Sequence, residues 1–156
     1  PQSVIVWRSM SRHRVGRLGM IEGNINAKRY WEEVLEVKLL PIIHDFFDGN
    51  PQQCIFQQDG APSHTAKSNQ KWFTDHHIIV LPWPGNSPDL NPIENLWSIL
   101  KTLVSLLNPC NKRELVETII LAWYSVITPN GLLKMVDSMP RRVEPVIKSR
   151  GCPTKY

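Results

Sequence analysis

The sequence predicts a mixed α/β fold in which a small sheet is flanked by helices, and three observations support this. Short runs rich in β-branched and aromatic residues, at 4–7, 18–21, 54–58 and 78–81, have the length and composition of strands. Longer segments between and after these runs carry apolar residues at helical spacing. Stretches rich in Pro and Gly separate the two kinds of segment, as turns do.

Each element follows from its local pattern. The runs at 4–7 and 18–21 flank a turn-prone stretch and predict an antiparallel hairpin. A helix is predicted from 27 to about 47, and Pro41 is expected to kink or divide it. The remaining helices are predicted at 65–76, 92–107, 112–127 and 132–148, with breaks at 128–131 and at Pro140.

Length and composition predict a single domain over 1–156. A chain of 156 residues that is 42% hydrophobic can bury one core, with the sheet and its helices in 1–107 and C-terminal helices in 111–150. The three cysteines lie far apart and match neither a disulfide framework nor a zinc site. No apolar run reaches the length of a membrane span, so we expect an intracellular protein without a membrane partner. The chain begins with Pro and enters a strand at once, so the natural start is expected to lie upstream.

Basic residues are concentrated near both ends of the chain. The formal net charge is only +4, which is compatible with a polyanionic partner but does not demonstrate one. Arginines and lysines on solvated surfaces are common, so the alternative is an ordinary exposed face. The candidates for phosphate contacts, which would position DNA without reading its sequence, are Arg8, Arg12, Arg14, Arg17, Arg141 and Arg142.

Two carboxylates occupy positions from which a side chain can point out of the fold. Asp59 directly follows a predicted strand, and Glu94 lies in the first turn of a predicted helix whose cap is Asn91. We expect both to converge on a divalent metal ion at the carboxyl edge of the sheet. The alternative for Asp59 is a turn residue, and the alternative for Glu94 is the partner of Asn91 in a capping box.

Other residues near these acids have two interpretations each. His64 is expected to be a surface or capping residue, with orientation of a phosphate or a ligand as the alternative. Asp89 is either a loop or cap residue or an auxiliary ligand. Trp83, between two prolines, is either partly buried or a contact for DNA or a partner chain, whereas Trp97 and Trp123 are expected in the core.

Three blocks of sequence resemble the catalytic domain of mariner-superfamily DDE transposases. They are QQDGAPSHTAKSNQKWF at 57–73, LPWPGNSPDLNPIENLWSILK at 81–101 and DSMPRRVEPVIKSRGCPTKY at 137–156. Thirty-four residues lie between Asp59 and Glu94, the separation found in the transposon-encoded branch whose third acid is Glu. The resemblance runs nearly end to end, and two consecutive motifs with matching separation make it specific.

The resemblance implies a fold and a set of catalytic residues. The fold is ribonuclease-H-like, a mixed sheet flanked by helices, here lacking its first, central strand and carrying a C-terminal helical extension. The family's second aspartate corresponds to Asp59 and its glutamate to Glu94, which would bind two Mg²⁺ ions, with Mn²⁺ as a substitute. The first aspartate has no counterpart, so we expect weak metal binding and an inactive isolated chain. Arg8 and Arg14 stand where the family often has Gly, which questions the turn geometry of the hairpin.

The implied activity is metal-dependent phosphodiester hydrolysis followed by transesterification, the DNA cleavage and strand transfer of cut-and-paste transposition. The implied partners are transposon ends and target DNA, with a homodimer as a further possibility, and the implied location is the nucleus. The alternative is a decayed or domesticated remnant that binds nucleic acid or a protein without catalysis. A weaker alternative is a nuclease that acts on RNA–DNA hybrids.

Overall fold

The computed structural model describes residues 3–85 and 87–152. Asn86 in the proline-rich loop and the terminal 153–156 of the third motif block therefore lie outside the described residues. Contacts group the chain into two compact units. The sheet unit comprises 5–8 and 19–85, and the helical unit comprises 3–4, 9–18 and 87–152. The prediction of a single domain stays a prediction, and each unit is described by itself.

The strands of the sheet unit form two short pairs. β1 (Ile5–Trp7) pairs antiparallel with β2 (Gly19–Ile21), which confirms the predicted hairpin. β3 (Ile55–Phe56) pairs in parallel with β4 (Ile79–Val80). Both pairing directions are present, as expected of a mixed α/β fold, but within the described residues the pairs are separate two-stranded sheets. β3 and β4 are shorter than the runs at 54–58 and 78–81 that predicted them, since each contains only two residues.

A long helical segment crosses the sheet unit from 27 to 46. It begins as α1 (Ala27–Arg29), where Oδ1 of Asn26 accepts a hydrogen bond from the Arg29 amide at 2.9 Å. It continues as a π-helix over Tyr30–Leu39 and ends as α2 (Leu40–Phe46). Pro41 lies in the first turn of α2, next to the point where the π-helical hydrogen-bonding pattern changes to the α-helical one. This change is the division of the helix that was expected at Pro41. The predicted helix at 65–76 is two elements, α3 (Pro62–Thr65) and α4 (Lys67–Asp75).

The core of the sheet unit lies between this segment, α4 and the strands. Its aromatic members include Trp72 and Phe73, whose rings meet edge to face with centroids 5.3 Å apart. The buried residues of this core are Ile21, Tyr30, Val34, Leu35, Leu39, Ile43, Cys54, Trp72, Phe73 and Ile78.

The helical unit contains a short hairpin-like loop and four helices. Met10 and Val15 form an isolated antiparallel bridge in the loop. The helices are α5 (Pro92–Leu107), α6 (Lys112–Val126), α7 (Pro129–Asp137) and α8 (Met139–Lys148). Trp123 of α6 is completely buried and its ring lies 5.6 Å from that of Trp97 on α5, so the unit is centred on this helix pair.

Two proline-containing stretches start helices where breaks were predicted. Thr128 caps α7 by accepting a hydrogen bond from the Gly131 amide at 3.0 Å, and Pro129 is the first residue of that helix. Pro140 lies in the first turn of α8 instead of ending a helix. The chain therefore separates α7 from α8 at Ser138.

Among the described residues no single helix is long and apolar enough to cross a membrane. Lys112–Val126 and Pro129–Lys148, bent by 78°, would reach that length and composition only when taken together.

Candidate active site

Asp59 lies where the two parallel strands of the sheet unit end. β3 stops at Phe56, three residues before Asp59, and the loop after β4 returns to the same place. A Cβ atom built on Gly60 would lie 3.7 Å from Cα of Gly85, so the two loops pass each other at van der Waals distance. The Asp59 side chain is 59% exposed and is therefore accessible at this edge.

The carboxylate of Asp59 is held through one of its two oxygens. Oδ1 accepts a hydrogen bond from the Ala61 amide at 3.0 Å, the local pattern of an Asx turn, so Asp59 has the turn role considered above. The same oxygen lies 2.6 Å from Nδ1 of His64. An ionised carboxylate only accepts hydrogen bonds, so Nδ1 is the donor of this contact. No described residue forms a hydrogen bond with Oδ2, which leaves a metal-binding role open.

His64 is packed into the sheet unit and is not a free surface residue. Its side chain is 22% exposed and its ring centroid lies 4.3 Å from that of the buried Tyr30. The Tyr30 hydroxyl donates to Oε1 of Gln58 at 3.0 Å, and Nε2 of Gln58 donates to the His64 carbonyl at 3.3 Å. Burial, together with the charge of Asp59, raises the pKa of Tyr30, so its hydroxyl stays a donor.

Sequence reasoning missed this arrangement of Tyr30, Gln58 and His64 around Asp59. Tyr30 matched the apolar pattern of its helix and was counted only as a core residue. The one available signal was His64, five residues after Asp59 and just beyond a proline turn.

Glu94 lies in the first turn of α5 and is exposed. Oδ1 of Asn91 caps this helix by accepting from the Ile93 amide at 3.4 Å. The Asn91 amide donates to the Pro88 carbonyl at 3.0 Å, so it is not available to the Glu94 carboxylate. The capping-box alternative for Glu94 is therefore wrong in this structure, and no described residue forms a hydrogen bond or ion pair with its carboxylate. The helix N-terminus still favours its negative charge.

Asp89 is held through its backbone. It lies in a 3₁₀ turn (Pro88–Leu90), and its carbonyl accepts from Nη1 of the buried Arg142 at 3.2 Å. Nε of Arg142 donates to Oγ of Ser138 at 2.7 Å. Arg142 therefore fastens α8 to the turn that precedes Glu94, which supports a loop role for Asp89.

The structure divides the six candidate arginines into three groups. Arg8 and Arg142 are buried, an environment that disfavours contact with phosphates, and their assignment as DNA-contacting residues stays a prediction. Arg12 is exposed but forms a two-bond ion pair with Asp137. Arg14, Arg17 and Arg141 are exposed, and their contact with phosphate stays a prediction. The described residues at positive φ include neither Arg8 nor Arg14, so neither arginine strains the hairpin.

Asp59 belongs to the sheet unit and Glu94 to the helical unit. Their convergence on one metal ion therefore stays a prediction. In the part of the chain that the structure describes, no three His, Cys, Asp or Glu side chains are grouped to hold a metal. Trp83 is partly buried, and its contact with DNA or a partner stays a prediction as well.

The family to which the chain belongs follows from a match between its sequence and a protein-family model. Residues 3–115, most of the chain and including both Asp59 and Glu94, match the model of the DDE superfamily endonuclease. The chain belongs to this family. Its membership confirms the resemblance that the motif blocks at 57–73 and 81–101 predicted, since both blocks lie inside the matched region.

Two transposases are similar to almost the whole chain. The chain is 34% identical to the Tcb2 transposase of Caenorhabditis briggsae over 155 residues and 34% identical to the Tc1 transposase of Caenorhabditis elegans over 154 residues. Each alignment covers 99% of this chain and 55% of the relative. The chain thus spans about half the length of these relatives.

Solved structures confirm the fold. The catalytic domain of Mos1 mariner transposase superposes with a TM-score of 0.83 at 21% identity, covering 97% of this chain and 76% of that one. The Mos1 catalytic domain with raltegravir and Mn gives a TM-score of 0.82, covering 97% and 78%. The fold is therefore the mixed α/β, ribonuclease-H-like fold that was predicted.

Proposed function

We propose that this chain provides the DNA-cleaving and strand-transferring chemistry of a cut-and-paste transposase. Membership of the DDE endonuclease family is the observation that carries the proposal. Its similarity to the Tc1 and Tcb2 transposases supports the same reaction class, metal-dependent hydrolysis of a phosphodiester followed by transesterification.

Asp59 and Glu94 are the residues that we propose to bind the metal. Both are exposed carboxylates at the ends of regular elements, and Oδ2 of Asp59 and the whole carboxylate of Glu94 are unused by described residues. Oxygen ligands of this kind suit Mg²⁺, with Mn²⁺ as a substitute. The Mos1 catalytic domain has been solved with Mn and with Mg, which supports this choice. When bound, such ions stabilise the negative charge that develops at the phosphate during in-line displacement.

The proposal assigns different tasks to different residues of this chain. Asp59 and Glu94 hold the ions, and the exposed Arg14, Arg17 and Arg141 hold the DNA backbone. The resemblance assigns Asp59 to the family's second aspartate and Glu94 to its glutamate, and it assigns no residue of this chain to the family's first aspartate. We therefore expect residues 1–156 alone to bind metal weakly and to be nearly inactive.

The proposed partners are the transposon ends and target DNA, in the nucleus, with a homodimer as the proposed assembly. Structures of Mos1 include a pre-cleavage transpososome and a paired-end complex with the left transposon end, which supports the DNA partner.

A decayed remnant that binds nucleic acid without catalysis is the second candidate. The described residues contain no group of three His, Cys, Asp or Glu side chains that could hold a metal, which both candidates allow. The two candidates differ in whether metal binding depends on Asp59 and Glu94.

A double-mutant cycle on Mn²⁺ affinity tests the proposed function. Asp59→Asn and Glu94→Gln are each expected to weaken Mn²⁺ binding to the 156-residue chain, and the double variant is expected to lose less than the sum of the two effects because both ligate the same ions. Glu22→Gln, which removes another exposed carboxylate, serves as the control. Mn²⁺ affinity that depends on neither acid would favour the non-catalytic remnant.

A nicking assay separates the nuclease classes. Duplex DNA and an RNA–DNA hybrid are incubated with the chain and Mn²⁺, with Asp59→Asn as the inactive control. Any cleavage that Asp59→Asn abolishes is expected on duplex DNA, and cleavage confined to the hybrid would assign the chain to the hybrid-cleaving class instead.

A further inference from the structure

The two carboxylate oxygens of Asp59 have different surroundings. Oδ1 accepts from the Ala61 amide at 3.0 Å and from Nδ1 of His64 at 2.6 Å, whereas Oδ2 has no hydrogen-bond partner among the described residues. A carboxylate at a chain turn can rotate about its terminal torsion, which is broad and roughly two-fold. Two donors on the same oxygen remove this freedom and fix which oxygen faces outward.

We propose that His64 is a positioning residue that orients Asp59, so that Oδ2 is the oxygen offered to a divalent metal ion. The inference rests on the proposed function of Asp59 as a metal ligand. It adds that a neighbouring side chain, which itself does not touch the metal, sets the geometry of that ligand. Side chains that hydrogen-bond to a metal ligand without touching the metal orient that ligand in metal sites generally.

His64 can do this only because it is itself held on two sides. The ring of the buried Tyr30 lies against its imidazole, with centroids 4.3 Å apart and an angle of 34° between the planes. Its backbone carbonyl accepts from Nε2 of Gln58, and Oε1 of Gln58 accepts from the Tyr30 hydroxyl. These contacts fix both the ring and the backbone of His64. The chain of contacts runs from the core through Tyr30 and His64 to Asp59.

The identity of the donor follows from the acceptor. Because the Asp59 carboxylate cannot donate when ionised, the proton of the 2.6 Å contact belongs to Nδ1 of His64. A side chain that places an N–H group near Nδ1 would preserve the contact, and Asn can do so. A side chain without a donor would release Oδ1.

The experiment measures Mn²⁺ affinity of the 156-residue chain by paramagnetic broadening of amide signals near Asp59. His64→Ala is expected to weaken Mn²⁺ binding by roughly 10- to 100-fold, the usual effect of removing such an outer partner. His64→Asn is expected to restore affinity to within a few fold. His44→Ala, which removes an exposed histidine of the sheet unit, is the control and is expected to have no effect. Unchanged Mn²⁺ affinity in His64→Ala, or no rescue by Asn, would overturn the proposal.

A measurement without metal separates this proposal from the proposed function. Nitrogen-15 NMR of the histidine ring is expected to show a protonated Nδ1 in His64 whose resonance shifts in Asp59→Asn. If the resonance of a protonated Nδ1 shifts in Asp59→Asn but Mn²⁺ affinity does not depend on Asp59, the metal site is refuted and the hydrogen bond between His64 and Asp59 is retained. An unprotonated Nδ1, or one that does not respond, would refute the positioning role whatever the metal does.

Discussion

At the scale of single residues, two glutamates with the same spacing have different roles. Glu94 and Glu114 each lie three residues after the asparagine that caps a helix. The Glu114 carboxylate accepts from the Cys110 amide at 2.8 Å and from the side chain of Asn111 at 2.6 Å, a reciprocal cap. The Glu94 carboxylate has no such contact with a described residue. The Glu94 carboxylate is therefore available for the metal-binding role proposed above, whereas the Glu114 carboxylate is occupied by its cap.

The different contacts of Glu114 and Glu94 predict different losses of stability when each is replaced by Ala. Glu114→Ala is expected to lower the free energy of unfolding by about 1 kcal/mol because it removes a cap. Glu94→Ala is expected to change it by less than about 0.5 kcal/mol because the side chain is exposed and uncommitted. Urea denaturation followed by circular dichroism measures both values. Equal losses in the two variants would mean that Glu94 is a structural residue.

The spacing alone could not distinguish these glutamates. An asparagine three residues before a glutamate is the pattern of a capping box at both sites, and for Glu94 this was the alternative to a metal-binding role. The difference arises from the 3₁₀ turn before α5, where the Pro88 carbonyl already accepts from the Asn91 amide. That hydrogen bond is a property of the loop conformation, which local composition does not determine.

At the scale of elements, an ion pair fastens the loop at 9–18 to the end of α7. Nε of Arg12 lies 2.8 Å from Oδ1 of Asp137, and Nη2 lies 3.0 Å from Oδ2, a two-bond geometry. The hydrogen bonds and the charge of Arg12 lower the pKa of Asp137 from its ordinary value of 3.8. Both side chains are about half exposed, so salt screens their attraction.

The lowered pKa predicts a pH dependence with a definite sign. The folded state binds the Asp137 proton less tightly than the unfolded chain, so the pair stabilises the fold above pH 3.8 and this contribution is lost as the pH falls through the lower, folded value. Arg12→Gln is expected to return the pKa of Asp137 toward 3.8. Carbon-13 NMR titration of the Asp137 carboxyl measures the shift. A carboxyl that titrates identically in both proteins would show that the pair does not form in solution.

Helix ends were predictable where the sequence carries unambiguous signals and not elsewhere. α5 spans Pro92–Leu107 as predicted, with a capping Asn before it and Asn108 after it in the left-handed conformation. Thr128 and Pro129 were interpreted as a break between helices, but they cap and begin α7. The sequence is ambiguous here because Thr and Pro occur both in turns and in the first turn of a helix. Only the hydrogen bond from Gly131 to Thr128, which depends on the folded backbone, distinguishes the two.

At the scale of the whole molecule, basic residues occupy two environments, exposed and buried. Adjacent arginines on α8 illustrate them, since Arg141 is exposed and Arg142 is buried against the Asp89 carbonyl and Ser138. The sequence could not separate them, because the partner that buries Arg142 is 53 residues away along the chain. The α/β fold class, in contrast, followed from strand-like runs and helical spacing along the chain, because these patterns are local.

The different environments of Arg141 and Arg142 predict that one alanine variant weakens DNA binding and the other weakens the fold. Arg141→Ala is expected to weaken binding to duplex DNA and to reduce the slope of log affinity against log salt by about 1, because one phosphate contact is lost. Arg142→Ala is expected to lower the free energy of unfolding by about 1 to 3 kcal/mol, because hydrogen bonds of a buried group are removed. Fluorescence anisotropy at several salt concentrations and urea denaturation measure the two effects. A change in salt slope for Arg142→Ala in folded protein would reverse the assignment.

The π-helix at Tyr30–Leu39 has a consequence for how the sheet unit tolerates change. Its wider winding sets the angular offset between Tyr30, which meets His64, and Leu39, which is fixed in the core. If this stretch relaxed to ordinary α-helical winding while Leu39 stayed in place, the phenol would be rotated off the imidazole. The winding of one helix is thus linked, through Tyr30 and His64, to the orientation of a carboxylate that lies outside it, and a single-residue insertion or deletion between 30 and 39 would rotate Tyr30 relative to Leu39.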